Sequence, residues 1–306
     1  MRKIRILAAV FSVMLLATGA VWCLTVYQGY RKGQIGYQNL ADAFTERRVP
    51  GTGGGNEDPR DKEPGYGRQG NGPPDQEEDP LSAETESEGA GINGEDTDTI
   101  PEDAPERLTI KWAQLLEKNS DIVGWILLPA VDLSYPVLQG EDNEKYLHRS
   151  ISGEHLYAGS IFLDSQCSRS FRAYNTILYG HNMRDGSMFA KLKDYRDPEI
   201  YRTCPYFWIF TPGKDLLYRI CSVHPEGVGG SSYIIRFGSG KELEEWRDAM
   251  KNQSEIQTGW ETDPEDRVVT LSTCTEDRGA RYTVQGVLVF EEENPDPDSE
   301  RRTSEK

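Results

Sequence analysis

Short apolar runs bounded by turn residues recur along the second half of the chain and predict a domain built mainly of β-strands. Each run has six to eleven residues and is rich in β-branched and aromatic residues, as buried strands are. The runs lie at 121–129, 133–139, 159–164, 175–180, 206–211, 215–225, 267–273 and 281–291.

Helical spacing of apolar residues appears in only a few places. Leu243, Trp246 and Met250 follow at i, i+3 and i+7 and predict an amphipathic helix across 241–256. Similar faces predict helices at 105–119 and 185–195. Short strands with a few inserted helices are typical of a β-barrel or sandwich, and they argue against a doubly wound parallel sheet.

The N-terminus has the pattern of a membrane anchor. A basic start, MRKIR, is followed by 22 uncharged residues from Ile6 to Tyr27. As a helix this run would be roughly 33 Å long, enough to cross a bilayer. We therefore predict a cytoplasmic stub and transmembrane anchor at 1–32. A cleaved signal peptide is the alternative, because small residues stand at 18–20. Either reading predicts export, and the anchor predicts a single-pass protein of the cell membrane with an extracellular domain.

Composition divides the rest of the chain into three parts. Residues 51–105 hold 16 acidic and 3 basic residues together with 11 glycines, so they cannot bury enough apolar surface to fold. We predict an extracellular linker at 33–105, a folded domain at 106–291 and a disordered acidic tail at 292–306. The net charge of −17 argues against a nucleic-acid partner.

The cysteines and histidines predict neither a metal site nor a cofactor. The chain has five cysteines and four histidines, with no C-x-x-C pair and no metal-ligand spacing. Disulfides between exported cysteines would be possible, and the sequence leaves the state of Cys167, Cys204 and Cys221 open.

One cysteine and one histidine lie at the ends of predicted strands, where they could form a catalytic pair. Cys274 ends the apolar run 267–273, and His181 follows the run 175–180 at the start of a loop. A cysteine attacks as its thiolate, which a neighbouring imidazolium stabilises. Arg281 opens the last strand, where its guanidinium can donate hydrogen bonds to an oxyanion. Arg278 is the alternative arginine.

These motifs resemble those of the sortases, and of the class B sortases in particular. The resemblance rests on TLSTC (270–274) with an arginine within ten residues, on NTILYGHNM (175–183) with GSMF (186–189), and on YAGSIFLD (157–164). It covers about 108–290. It implies a mainly β fold, a closed eight-stranded sortase-type barrel with an N-terminal helix and a helix inserted between strands 6 and 7.

The resemblance also implies an activity and a site. Sortases are cysteine transpeptidases of the Gram-positive cell surface. They cleave a C-terminal sorting signal after Thr, form a thioacyl enzyme, and transfer the substrate protein to an amine of the cell-wall precursor (lipid II) or of a pilin. Cys274 would be the nucleophile, His181 its acid/base partner and Arg281 the oxyanion group. The implied substrate-binding residues are Asn143, Leu147, Tyr179, Tyr233, Ile234 and Ser272.

Two other functions remain open at the level of sequence. A cysteine protease or hydrolase would use the same Cys–His pair with water in place of an amine. A non-catalytic, tethered surface-binding domain would instead pair its cysteines. Neither reading predicts an oligomer, and we expect a monomer.

Overall fold

The computed structural model describes residues 2–48, 99–274 and 279–294. Its α-helices are α1 (Arg2–Phe44), α2 (Trp112–Lys118), α3 (Pro198–Thr203) and α4 (Gly240–Gln253). Its strands are β1 (Thr45–Arg47), β2 (Leu108–Ile110), β3 (Ile122–Leu128), β4 (Leu133–Leu138), β5 (Ile161–Leu163), β6 (Asn175–Gly180), β7 (Tyr206–Thr211), β8 (Lys214–Gly227), β9 (Val268–Cys274) and β10 (Ala280–Glu293). Short 3₁₀ helices cover Pro129–Val131, Ala190–Arg196 and Ser231–Tyr233.

Eight of the strands close into one barrel, in the order β10-β8-β7-β3-β4-β5-β6-β9. Most neighbours are antiparallel, but β4 pairs with β5 and β6 pairs with β9 in parallel. The helix α4 lies between β8 and β9, which are the sixth and seventh strands of the barrel. The predicted eight-stranded barrel, its N-terminal helix and its inserted helix are therefore confirmed.

Strand alternation sends one set of side chains into the barrel and the other set outward. Leu178, Leu271 and Val284 belong to a buried interior cluster, so the residues between them on β6, β9 and β10 face away from it. The amphipathic face predicted for 241–256 packs outside the barrel, where Trp246 and Met250 form a separate cluster. The outward faces of β6, β9 and β10 thus become a surface on which a site can be built.

Two predicted helices take a different form. Across 105–119, residues 108–110 form β2, because they pair with β1, and only Trp112–Lys118 is helical. Across 185–195, Met188 has a positive φ of 56° and forms a bridge with Asn182, so a helix cannot begin before it. The apolar face that follows belongs to the 3₁₀ helix Ala190–Arg196.

The first part of the predicted linker belongs to the folded domain. In α1, Tyr37 and Phe44 are buried against the barrel. The Tyr37 hydroxyl donates to the Gly159 carbonyl at 2.8 Å, and its ring meets that of Tyr135 edge to face. The prediction that 33–48 is linker is wrong, because apolar residues three to four apart on α1 cover the barrel. The rest of that linker, 49–98, lies outside the described residues.

The two predicted ends of the folded domain, at residues 106 and 291, each differ from the structure by a few residues. Described residues 99–105 contribute Pro105, whose carbonyl accepts a hydrogen bond from the Trp208 indole at 3.0 Å. At the C-terminus, β10 continues through Glu293, and the Asn294 amide donates to the Gly213 carbonyl at 2.8 Å. Residues 292–294 therefore extend the domain, while 295–306 of the predicted tail lie outside the described residues.

The predicted membrane anchor at 1–32 falls within α1. Among the residues that the structure describes, we find no helix with both the length and the apolar character needed to span a membrane.

Replacing Tyr37 should destabilise the protein. Tyr37→Ala removes a ring that is 5% exposed and leaves a cavity, which should lower the free energy of unfolding by about 3 kcal/mol and Tm by roughly 6 °C or more. Tyr27→Ala is the matched control on the same helix, since that ring is 59% exposed. Thermal unfolding of both variants checks this. Equal Tm values would show that α1 does not contribute to the stability of the barrel.

Candidate active site

The three predicted catalytic positions fall in one row across three neighbouring strands. In the parallel pair β6–β9, Gly180 lies opposite Thr273, so His181 and Cys274 come next at the same end of the sheet. In the antiparallel pair β9–β10, Cys274 lies opposite Arg281. Because neighbouring strands are about 4.8 Å apart, the three backbones are close although His181 and Cys274 are 93 positions apart in sequence. We call this set the catalytic row.

Tight packing fixes the end of β6 just before His181. A Cβ at Gly180 would lie 2.5 Å from Cδ1 of Ile161 and 2.7 Å from the ring of Phe189, so only glycine fits there. The Phe189 amide also donates to the His181 carbonyl at 3.0 Å. The loop after His181 therefore returns to hold its backbone in place.

The His181 ring has a defined tautomer and a neighbouring ring. Its Nε2 lies 2.8 Å from the Leu147 carbonyl, which can only accept, so Nε2 carries the hydrogen. Nδ1 is then the nitrogen that can take or give a proton. The ring of His148 stacks on that of His181, with centroids 5.2 Å apart. One short segment, 147–148, thus orients the imidazole by a hydrogen bond and by a ring contact.

The pKa of His181 is lowered from its ordinary value of 6.5. Burial of the half-buried ring is the largest cause, because it disfavours the charged form. The hydrogen bond to Leu147 acts in the opposite direction, and the positive charges of His148 and Arg281 lower the pKa further. At neutral pH the imidazole is therefore mostly neutral and ready to accept a proton.

Arg281 shares its register position with Cys274 on one side and Glu226 of β8 on the other. The Glu226 carboxylate accepts hydrogen bonds from the backbone and hydroxyl of Ser232, at 3.0 and 2.7 Å. The rival arginine, Arg278, lies outside the described residues, as does the side chain of Cys274.

Three predicted substrate-binding residues meet beside the catalytic row. Tyr179 and Ser272 lie two positions before His181 and Cys274, and Tyr233 reaches them from the loop after β8. Tyr179 lies opposite Ser272 in the β6–β9 register. The Tyr233 hydroxyl lies 2.9 Å from the Ser272 hydroxyl, and the Tyr233 ring stacks on that of Tyr179 at 6.3 Å. The loop after β8 thus folds over the outward face of β6 and β9 and covers Ser272, which is fully buried.

The other three predicted substrate-binding residues have structural contacts. Leu147 contributes the carbonyl that binds His181. Ile234 is 37% exposed, and its backbone carbonyl accepts a hydrogen bond from the side-chain amide of Asn175 at 2.8 Å. Asn143 donates to the Asp164 carboxylate at 2.9 Å, and Asp164 also accepts from the Tyr179 hydroxyl at 3.1 Å. Asn143 is therefore joined to Tyr179 through Asp164.

Sequence reasoning missed Asp164, His148 and Tyr157. Asp164 is 5% exposed and ends YAGSIFLD, so an acid closing an apolar run was the available signal. Nothing in the sequence marks His148 or Tyr157, because their contact with His181 depends on how the irregular segment 141–160 folds over the end of β6.

The remaining described thiols are poor candidates for a nucleophile. Cys167, Cys204 and Cys221 are free, which settles their disulfide state and removes the main support for a domain with paired cysteines. Burial raises the pKa of all three thiols, that of Cys167 to about 11. The buried His224 bridges the hydroxyls of Ser222 and Ser232 at 2.9 Å each, which is a structural role.

Comparison with known proteins connects this geometry to a family. The family model described as Sortase domain matches residues 126–289. Sortase B of Listeria monocytogenes is 34% identical over 178 residues, covering 57% of this chain and 72% of the relative. Sortase B of Staphylococcus aureus is 34% identical over 175 residues, covering 57% and 71%. The structure of the Staphylococcus aureus sortase B–substrate complex matches with a TM-score of 0.56 at 30% identity, covering 58% of this chain and 84% of that one.

The environment of His181 predicts how it titrates. By NMR, its pKa in the folded protein should lie below 6.5, because burial and nearby cations disfavour the imidazolium. His148→Phe keeps a ring for stacking but removes a titratable neighbour that lowers the pKa of His181, so it should raise that pKa. His155→Phe, whose ring contacts His148 but is not among the causes of the His181 shift, is the control. A pKa at or above 6.5 in the unsubstituted protein would contradict this geometry.

Proposed function

Because the chain belongs to the sortase family of cysteine transpeptidases, in the sortase B class, we propose that it joins surface proteins to an amine through a thioacyl enzyme on Cys274. The observation that carries the proposal is the catalytic row, which brings a thiol, an imidazole and a guanidinium to the same end of three adjacent strands. The substrate would be a sorting signal near the C-terminus of a surface protein, cleaved after Thr.

In the first half-reaction, the Cys274 thiol gives its proton to Nδ1 of His181. The thiolate then attacks the carbonyl carbon of the Thr residue, and the carbonyl oxygen becomes an oxyanion. As the C–N bond breaks, the imidazolium returns the proton to the leaving amine. The hydrogen bond from Nε2 to Leu147 keeps Nδ1 free for both transfers.

Arg281 would stabilise the oxyanion. Its backbone lies opposite Cys274 on the final strand, which limits the reorganisation that its side chain needs when charge develops. A guanidinium also stays charged at any working pH and offers two parallel donors.

In the second half-reaction, an amine attacks the thioester and releases the Cys274 sulfur. Acceptor amines of lipid II and of a pilin are both consistent with this chemistry. The partly exposed Tyr179 and Tyr233, the latter bound to the buried Ser272, would contact the sorting signal, and a related sortase B forms a substrate complex. Because such substrates lie at the cell surface, we propose that the domain acts outside the cell.

Trapping the acyl enzyme tests this function. Intact-mass measurement after incubation with Thr-containing sorting peptides should show an adduct that maps to Cys274, and triglycine should convert it to a ligated product. Cys274→Ala should lose both products, while the Ala variants of Cys167, Cys204 and Cys221 should keep them. Release of only the hydrolysed acid, with no ligated product, would identify a water-using hydrolase instead. An unchanged rate in Cys274→Ala would exclude both.

The two arginines can be separated by substitution. Arg281→Ala should lower turnover about 10²–10³-fold, the usual cost of losing one preorganised oxyanion donor. Arg281→Lys should also be slow, since an ammonium lacks the planar pair of donors. Arg278→Ala is the matched comparison, with circular dichroism to show that each variant is folded. A larger loss in Arg278→Ala would transfer the role to that residue.

A further inference from the structure

A group of exposed rings lies beside His181, and of these only His148, through its contact with the His181 ring, has entered the account so far. His148, His155 and Tyr157 are all exposed, and Tyr157 is 60% exposed. Ring centroids are 5.9 Å apart between His148 and Tyr157 and 6.3 Å apart between His148 and His155. Tyr157 also approaches His181, at 6.2 Å. We call His148, His155 and Tyr157 the ring patch.

The order of the strands in the catalytic row shows which step of the reaction takes place next to the ring patch. Cys274 stands on the middle strand, with Arg281 on β10 to one side and His181 on β6 to the other. The oxyanion therefore develops toward β10, and protons move on the side of β6. The leaving amine takes its proton from His181, so the incoming amine, which reverses that step, must also approach next to His181. The ring patch borders this position.

The incoming group is a cation before it reacts. A primary amine is an ammonium ion at neutral pH, and Arg281 repels it from the β10 side of the row. An aromatic face attracts an ammonium within about 6 Å of its centroid.

We propose that the face of Tyr157 holds the ammonium group of the acceptor beside His181, which makes Tyr157 a binding residue for the second substrate. This rests on the proposed transpeptidase function and adds the site of the acceptor to it. The ligand class is a primary ammonium, which either a glycine α-amine or a lysine ε-amine can provide.

The proton balance follows from this placement. The ammonium gives one proton to Nδ1 of His181, and the free amine attacks the thioester carbon. The C–S bond breaks, and the thiolate of Cys274 takes the second proton from the new amide nitrogen. The imidazolium then loses its proton to water, which restores the starting enzyme.

The test measures how the acyl enzyme divides between amine and water. With a sorting peptide as donor, the ratio of amide to acid product is read by mass spectrometry at fixed acceptor concentration, and this ratio does not depend on the rate of acylation. Triglycinamide and Nα-acetyl-lysinamide serve as separate acceptors. Tyr157→Leu should lower the ratio about two- to fivefold, as expected for an exposed cation–π contact. Tyr157→Phe and Tyr157→Trp keep an aromatic face and should keep the ratio.

The product ratios of the Tyr157 variants decide whether Tyr157 binds the acceptor amine. A fall with either acceptor supports the site and identifies the amine it prefers. An unchanged ratio in Tyr157→Leu with both amines overturns it, and so does an equal fall in Tyr157→Phe. Tyr174→Leu, which removes another partly exposed ring, is the control.

A binding measurement covers the case in which no acyl enzyme forms. In Cys274→Ala, triglycinamide should shift the NMR signals of the His148 and His181 rings, and Tyr157→Leu in the same background should weaken that shift. Failure of acylation with a retained shift would refute the function but not the site. Equal shifts with and without Tyr157→Leu would refute the site.

Discussion

The parallel pairing of β6 with β9 is the contact on which the rest of the site depends. It joins segments that are more than ninety residues apart, and it sets His181 and Cys274 at the same end of the barrel. A shift of one residue would move every outward side chain of a strand to the interior, so the register cannot slip while Leu178 and Leu271 stay buried. The buried core thereby fixes the chemistry at the surface.

Irregular segments complete what the strands position. Leu147 and His148 orient the His181 ring from the segment before β5, and Tyr233 covers the outward face from the loop after β8. That loop is itself held by Glu226 and by the buried His224, through their bonds to Ser232. The side chains of His181 and Tyr233 are thus supported by contacts from a second part of the chain, as a preorganised site requires.

Much of this arrangement could be predicted from the sequence. Short apolar runs gave the barrel strands, and the strand-end positions of Cys274 and His181 gave the candidate pair. The docking of α1 could not be foreseen, because Tyr37 and Phe44 stand just before a glycine-rich acidic stretch and only the folded barrel provides the surface that they cover. The split of 105–119 into a strand and a helix depended on the pairing of β2 with the distant β1. The ring patch likewise depended on tertiary contacts that no local pattern encodes.

The measurement that tests the account most directly is a cross-link between the strand ends. In the variant His181→Cys, a short bifunctional thiol reagent such as dibromobimane should join position 181 to Cys274, as shown by peptide mapping. Thr203→Cys, which introduces an exposed thiol on α3, should give no such link. We expect a link to Cys274 in the first variant alone. If both thiols of His181→Cys are alkylated singly and never joined, the catalytic row does not exist as described.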